Sequence, residues 1–227
     1  MKDISDVVFV VQSRLNSERI PQKMIRDFCG TTLLDLVLSK LINVEDIPNN
    51  QIYLSAYENE LVEIGNKYPI NIHKRSWESA NCDNGIDVMF DWWNKLPFKY
   101  VVMISGCNPL IKKSTISDFI TTYLNSKHDG LFSVVEKKNY FWNKDGELIN
   151  NWPEGQDLLN TKVVEPIYEA GHCLYGSLLS SIGDGKWCGT WKDKNSPELF
   201  KVDELETFDI DYPWQFEVAE KLYEQKN

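Results

Sequence analysis

The chain alternates short apolar runs with stretches whose apolar positions recur every three to four residues. VVFVVQ at 7–12, QIYLSA at 51–56, NIHK at 71–74, KYVVMIS at 99–105, DGLFSVV at 129–135, HCLYG at 172–176 and TFDID at 207–211 have strand length. Most are rich in β-branched or aromatic residues. Between them, 31–43, 58–67, 85–95, 114–126 and 213–225 follow the helical period. In the first of these, Thr31 or Thr32 stands as N-cap after Gly30, and Leu33, Leu34, Val37, Leu38 and Leu41 fall on one stripe. Pro213 fits the first turn of the last helix, where a missing N–H costs nothing. Strands alternating with helices predict an α/β fold, with a mostly parallel sheet, helices on both faces and a ligand crevice at the carboxyl ends of the strands.

Residues 136–171 break the rhythm, with several aromatics, no helical period and a turn signal at Lys144–Glu147. This stretch reads as an arm inserted in the sheet; exposed Trp and Tyr on it would serve a dimer contact or a lid. No Gly/Ser/Pro-rich tract divides the chain and no repeat is visible. The expectation is one domain, 1–227, with an inserted arm at about 136–171.

Composition changes this picture only at its edges. Hydrophobic residues at 42% and charged residues at 26% are ordinary for a soluble globular chain of 227 residues. The longest apolar run falls short of the roughly 20 residues of a membrane span. No secretory signal opens the sequence, so a cytoplasmic protein is expected. The five cysteines are odd in number and never spaced C-x-x-C, which argues for reduced thiols rather than a disulfide framework or a zinc site. A net charge of -10 disfavours nucleic acid and acidic membranes as partners. The charge is nevertheless segregated: Arg14, Arg19, Lys23 and Arg26 face only Glu18 between 14 and 26, whereas the last thirty residues carry nine acids against three lysines.

The cationic stretch SRLNSERIPQK at 13–23 follows the first strand, where α/β proteins bind ligands, and Pro21 pins it. Solvated surface cations are one reading. The other is a phosphate cradle, in which Arg gives forked contacts, Lys a point charge and turn N–H groups the rest. Neither a Walker A loop nor G-x-G-x-x-G is present. At the far end of the chain, extended backbone would put Asp209 and Asp211 on one face, about 7 Å apart at their Cα atoms. Two carboxylates that close suit a hard cation such as magnesium, unless one caps the following helix and the other is solvated.

The stretch SRLNSERIPQKMIRDFCGTTLLD resembles the N-terminal motif R-x-x-S-x-R-x-P-x-K of the acylneuraminate cytidylyltransferase (CMP-sialic acid synthetase) family, to which CMP-Kdo synthetases and spore-coat polysaccharide biosynthesis proteins are related. Arg14, Ser17, Arg19, Pro21 and Lys23 fall in register, followed by Asp27 to Leu33 as D-F-x-G-x-x-L. HKRSWESANCDNGIDVMFDWW, KYVVMISGCNPLI and ETFDIDYPWQFEVAEKL are similar to later stretches of that family in order and spacing, so the resemblance covers nearly the whole chain. It implies a Rossmann-like nucleotidyltransferase fold, a dimerisation arm, and transfer of CMP from CTP to a small acidic acceptor, in cell-surface glycan biosynthesis, with Mg2+ and release of pyrophosphate. It also implies that Arg14, Ser17, Arg19 and Lys23 hold the triphosphate, that Asp209 and Asp211 carry the metal, and that Arg75 and Asn84 face the cytosine. Arg14, Lys23 and Asp211 are then the catalytic set, CTP and the acceptor the partners, and a homodimer the expected assembly.

The departures cluster on the acceptor side. Leu15-Asn16 and Met24 replace the paired glycines and asparagine common in sialic acid synthetases, and SGCN at 105–108 puts Cys107 where some relatives carry a metal-binding aspartate. A thiol is a poor magnesium ligand. Gly155-Gln156-Asp157 lacks the preceding arginines that serve a sugar carboxylate in sialic acid enzymes; Lys137 or Lys138 could supply the charge, or be solvated. The acceptor is open at this stage, either a sialic-acid-like sugar acid or a phosphorylated or phosphonate small molecule. Some of the eight tryptophans could stack on a sugar, and His172 reads as structural. Two further classes stand beside this one: a glycosyltransferase using Asp209-Ile210-Asp211 as a D-x-D motif, and a non-catalytic nucleotide-binding paralogue.

Overall fold

The computed structural model describes residues 1–45, 47–82 and 84–225. In chain order its elements are β1 (Val7–Gln12), β2 (Asp27–Phe28), β3 (Thr31–Thr32), α1 (Leu33–Ile42), β4 (Ile52–Ala56), α2 (Asn59–Gly65), β5 (Asn71–Lys74), α3 (Trp77–Ala80), α4 (Ile86–Met89), β6 (Tyr100–Ile104), α5 (Lys113–Asn125), β7 (Leu131–Lys137), β8 (Ile167–Leu178), α6 (Leu179–Gly183), β9 (Glu198–Lys201) and α7 (Pro213–Glu224). Seven strands form one sheet in the order β5-β4-β1-β6-β8-β7-β9. The first four are mutually parallel, β8 runs antiparallel to both β6 and β7, and β9 is parallel to β7.

The run VVFVV is continuous because β1 is central and covered on both faces. On one face Phe9 and Val11 pack with residues of α1, α2, α5 and α7 such as Leu38, Leu61, Phe119 and Phe216. On the other, Val8, Val10 and Val101 meet Phe90, Trp92, Leu179 and Ile182. The chain leaves β1 towards β4 and β5, then returns to β6 on the opposite side of β1. That reversal of winding opens a crevice above the carboxyl ends of β1 and β6, bringing the loop after Gln12 beside the loop after Ile104. Thr32 caps α1 by accepting from the Asp35 N–H, as its position predicts, and Pro213 occupies the first turn of α7.

Three expectations change. The stretch 207–211 is not a strand: Glu204–Thr207 is a 3-10 turn, and 208–211 runs on as irregular chain. Its backbone is held instead by loops, the Ile210 N–H donating to Cys107 O at 3.1 Å and Asn108 Nδ2 to Thr207 O at 3.0 Å, so period-two alternation does not govern Asp209 and Asp211. The helix expected over 85–95 ends at Met89, with Phe90 at a non-helical φ of -104° and ψ of 50°, which turns the following tryptophans into the core. Finally, β7 and β8 extend into both ends of 136–171 and pair through Lys137 and Ile167. The turn within that segment forms where expected: Asn143 Oδ1 accepts from the N–H groups of Asp145 and Glu147, and Gly146 supplies φ +83°. Among the described residues, no helix is long and apolar enough to cross a membrane.

Candidate active site

The residues from Ser13 to Arg26 are fixed by both ends and by an apolar underside. Ser13 continues the β1 ladder by donating to Ser55 O at 2.9 Å, and the Leu15 N–H donates to Glu58 Oε1 at 3.0 Å. Ile20 and Met24 are buried beneath the turn, while Gln22 takes φ +56°. Gly106 permits this seating, since a Cβ there would lie 2.6 Å from Met24 Cε. Two short strands, β2 and β3, close the segment around Cys29-Gly30, both at positive φ as a type I′ turn requires. The polar side of the turn is left facing the crevice.

That crevice is a cleft of about 840 Å³ lined by Arg14, Ser17, Arg19 and Lys23 from the turn, Arg75 after β5, Cys107 after β6 and Asp211 before α7. Arg19 Nη2 donates to Asp211 Oδ1 at 2.8 Å, and Lys23 Nζ lies 3.8 Å from the same oxygen. Lys23 also donates to Ile210 O. Asp211 is held in place by its own N–H, which donates to Gln215 Oε1 at 2.7 Å, and by the next N–H, which donates to the same oxygen at 2.8 Å. Segments nearly two hundred residues apart therefore converge on one point.

Asp209 lies deeper than Asp211. Burial raises its carboxyl pKa, opposed chiefly by Lys23, and its Oδ1 is a buried acceptor without a hydrogen-bond partner among the described residues. An unsatisfied carboxylate oxygen beside a second carboxylate is the arrangement a hard cation fills, with ligand oxygens and water completing the shell. Among the described residues, no group of three or more His, Cys, Asp or Glu could enclose a metal. Any cation held here would therefore need oxygens from a bound ligand. Burial also pushes the Cys107 thiol up, which keeps it protonated and unsuited to nucleophilic work.

Arg75 has a different environment from the other cations. It is buried, and its guanidinium donates to Ser79 Oγ at 3.1 Å, Ser79 O at 2.6 Å, Ser13 O at 3.3 Å and Met89 O at 3.4 Å. Burial lowers its pKa. Most of its donors tie the ends of β1, α3 and α4 together, so its first job is to shape the cleft floor. Asn84 is exposed and outside the cleft lining; Asn81 and Cys82 line it in that region instead.

The opposite wall was the least legible part of the sequence. Phe132, His172, Tyr175, Trp187 and Trp191 line it as a set of touching rings: Phe132 lies 5.3 Å from Tyr175 and 5.0 Å from Trp191, and Tyr175 lies 5.7 Å from Trp187. His172, expected to be structural, is exposed to the cleft at φ +49° with Nδ1 3.3 Å from Tyr175 Oη. A non-glycine residue at positive φ inside a strand was the available signal, and it is invisible without coordinates. Lys137 is engaged by Glu169 at 3.1 Å and by Glu204, so it does not serve this wall.

A family model described as Cytidylyltransferase matches residues 8–227. The chain is similar to the 3-deoxy-manno-octulosonate cytidylyltransferase of Rickettsia canadensis (strain McKiel), 26% identical over 136 residues, which are 58% of this chain and 53% of the relative. It is also similar to N-acylneuraminate cytidylyltransferase A of Danio rerio, 21% identical over 59% of this chain and 31% of the relative. The chain thus spans about half the length of the Rickettsia relative and less of the Danio one. Among solved structures, CMP:2-keto-3-deoxy-manno-octonic acid synthetase complexed with CTP superimposes with a TM-score of 0.68 at 12% identity, covering 98% of this chain and 100% of that one. The 4-diphosphocytidyl-2C-methyl-D-erythritol synthase of Anaerococcus prevotii gives the same TM-score, 0.68, at 12% identity, with 96% of each chain covered. At these identities the likeness is one of fold.

Two stability measurements follow from this geometry. A carboxyl whose folded pKa is raised stabilises the fold when protonated, and that contribution is lost as pH rises through the raised value. Without divalent cations, Asp209→Asn should therefore melt above the unsubstituted protein at pH 7, the gap narrowing towards pH 4 in differential scanning fluorimetry. Arg75→Lys removes the forked donors to three carbonyls, and urea denaturation should register a loss of about 2 kcal/mol or more.

Proposed function

The chain belongs to the cytidylyltransferase family, and from that membership we propose that it transfers CMP from CTP to a small acidic acceptor, releasing pyrophosphate. The observation that carries the reading is the convergence of Arg19 and Lys23 on Asp211 beside the partnerless Asp209 oxygen. Cations gathered on one carboxylate leave positive charge for a polyphosphate, while the deeper carboxylate leaves negative charge for a metal.

In this reading Arg14, Arg19 and Lys23 bind the β- and γ-phosphates, and Ser17 adds a hydroxyl or N–H to a phosphate oxygen. Asp209 and Asp211 hold Mg2+, which when bound supplies a Lewis acid at the α-phosphate. Arg19 and Lys23 then exchange part of their attachment to Asp211 for phosphate oxygens, so substrate entry replaces one set of ion pairs with another. An acceptor oxygen attacks the α-phosphorus, the bond to the bridging oxygen breaks, and pyrophosphate leaves into the cationic turn. The attacking hydroxyl gives its proton to solvent, and the α-phosphorus exchanges the phosphoanhydride bond to pyrophosphate for an ester bond to the acceptor. Positioning and charge stabilisation suffice, and the protonated Cys107 takes no covalent part. Arg75 supports the base-binding floor from behind through Ser13 and Ser79.

The ring wall supports an acceptor with a sugar-like body whose C–H face stacks on Trp191, Phe132 and Tyr175, with His172 and Tyr175 as polar contacts. Sugar acids are the acceptors named in the Rickettsia and Danio relatives, and cell-surface glycan synthesis is the setting that class implies. The reading takes 1–227 as one nucleotidyltransferase domain with an arm, working in the cytoplasm where CTP is made, with no nucleic acid or membrane partner. The arm exposes Trp142, Ile149, Leu158 and Leu159, a surface that suits a homodimer contact.

Screening the four nucleoside triphosphates with magnesium should give a CTP-selective rise in melting temperature, lost in Asp211→Ala; indifference to all four would remove the reading. Pyrophosphate release with a sugar-acid acceptor should fall by about 100-fold or more in Lys23→Ala. A nucleoside diphosphate released from a nucleotide sugar would instead identify a glycosyltransferase. For assembly, light scattering should give twice the chain mass, and Leu158→Asp with Leu159→Asp should halve it.

A further inference from the structure

A second cavity, about 450 Å³ in volume, opens beside the start of β7 and the end of β8, between the α5–β7 turn and the loop from Lys186 to Ser196. Lys127, Lys186 and Lys194 line it, against the carboxylates of Asp129 and Asp184. None of the three lysines has an ion-pair or hydrogen-bond partner for its ammonium group among the described residues, unlike Lys95, Lys112, Lys137 and Lys201. Hydroxyl and amide groups of Ser180, Ser181, Thr190, Asn195 and Ser196 share the rest of the surface with His128 and Leu178. In a chain of net charge -10, three lysines without ion-pair partners, set among hydroxyl and amide groups, form a local exception. Its volume is that of a small-molecule site.

The loop that forms one side of this cavity also forms part of the catalytic cleft. Trp187 and Trp191 reach the ring wall, while Gly189, Thr190, Lys194 and Ser196 face the second cavity. It is braced internally: the Trp191 N–H donates to Ser196 O at 2.7 Å, the Thr190 N–H to Ser196 Oγ at 3.0 Å and Thr190 Oγ1 to Asp193 Oδ2 at 2.7 Å. Cys188, Gly189, Trp191 and Asn195 all take positive φ, and a Cβ on Gly189 would sit 2.5 Å from Ser196 Oγ. So tight a loop has little freedom to yield on one face without shifting the other.

We infer that the second cavity binds an anionic, polyhydroxylated small molecule of the sugar phosphate or sugar acid class, and that its occupancy is communicated to the ring wall through the Lys186–Ser196 loop. The ammonium groups neutralise the anion and the hydroxyl and amide lining reads the polyol. The site is separate from the proposed CMP transfer, and binding to it is measured without turnover.

Isothermal titration calorimetry of the full chain with glucose 6-phosphate and, separately, with inorganic phosphate tests this. Saturable binding of the sugar phosphate, about tenfold tighter than phosphate, is expected from the added hydroxyl contacts. It should vanish in Lys127→Ala/Lys186→Ala/Lys194→Ala and survive in Arg19→Ala/Lys23→Ala, which disables the catalytic turn. The three lysines are exposed, and the single variant Lys194→Glu serves if the triple variant is unfolded by circular dichroism. Tryptophan emission should change on binding, and Trp191→Phe should abolish that change while leaving the calorimetric signal. Equal affinity for phosphate and sugar phosphate, binding that follows the Arg19/Lys23 pair instead, absence of saturable binding, or an emission change indifferent to Trp191 would each overturn the inference.

Discussion

Asp211 is the fixed point to which the cleft is tied. Arg19 reaches it at 2.8 Å, Lys23 stands 3.8 Å away, and Gln215 locks its backbone from the first turn of α7. Two cations will not rest beside one another without a negative partner, so the amino-terminal turn keeps its crevice-facing shape only while the carboxyl-terminal segment stays against it. Lys23 strengthens the link through Ile210 O, and Cys107 adds a backbone bond to Ile210 from the loop after β6. Being largely exposed, the Arg19–Asp211 pair contributes little to global stability. Its consequence is local: it poises charge at the mouth of the cleft in a form that a polyphosphate and a cation can take over.

The sheet supplies the frame for that contact. Reversal of winding between β1 and β6 sets two loops side by side above the carboxyl ends of parallel strands, and burial of β1 on both faces keeps that edge rigid. Antiparallel β8 then crosses the same rim in the other direction and delivers His172 and Tyr175 to the far wall. The result is a cleft of two characters. One side is cationic and built on backbone turns; the other is a continuous set of aromatic rings. Such a division matches a ligand pair in which one member carries the charge and the other carries a ring face.

Buried polar groups mark where this protein has given up local comfort. Asp209 Oδ1 lacks a hydrogen-bond partner among the described residues, and Arg75 holds a charge out of water to fasten the carbonyls of Ser13, Ser79 and Met89. Burying a carboxylate costs free energy unless something neutralises it, whereas Arg75 recovers much of its desolvation through hydrogen bonds. The contrast separates a group left open for a ligand from one committed to the architecture.

Much of this was legible in the chain itself. Apolar run lengths marked β1, β4, β5, β6, β7 and β8 but not β9, Thr32 and Pro213 set helix starts, and the spacing of Arg14, Ser17, Arg19 and Lys23 marked the cationic turn, because each of these depends on neighbours a few residues away. The two aspartates were visible as a pair, but their different depths were not: an irregular segment docked on Cys107 and Asn108 replaced the expected strand. Only the tertiary structure decided that Arg75 is a brace, that Asn84 lies outside the cleft lining, and that Phe132, His172, Tyr175, Trp187 and Trp191 form one wall. Those facts depend on contacts between residues tens of positions apart in the chain, and local periodicity carries no information about which distant surfaces the sheet will press together.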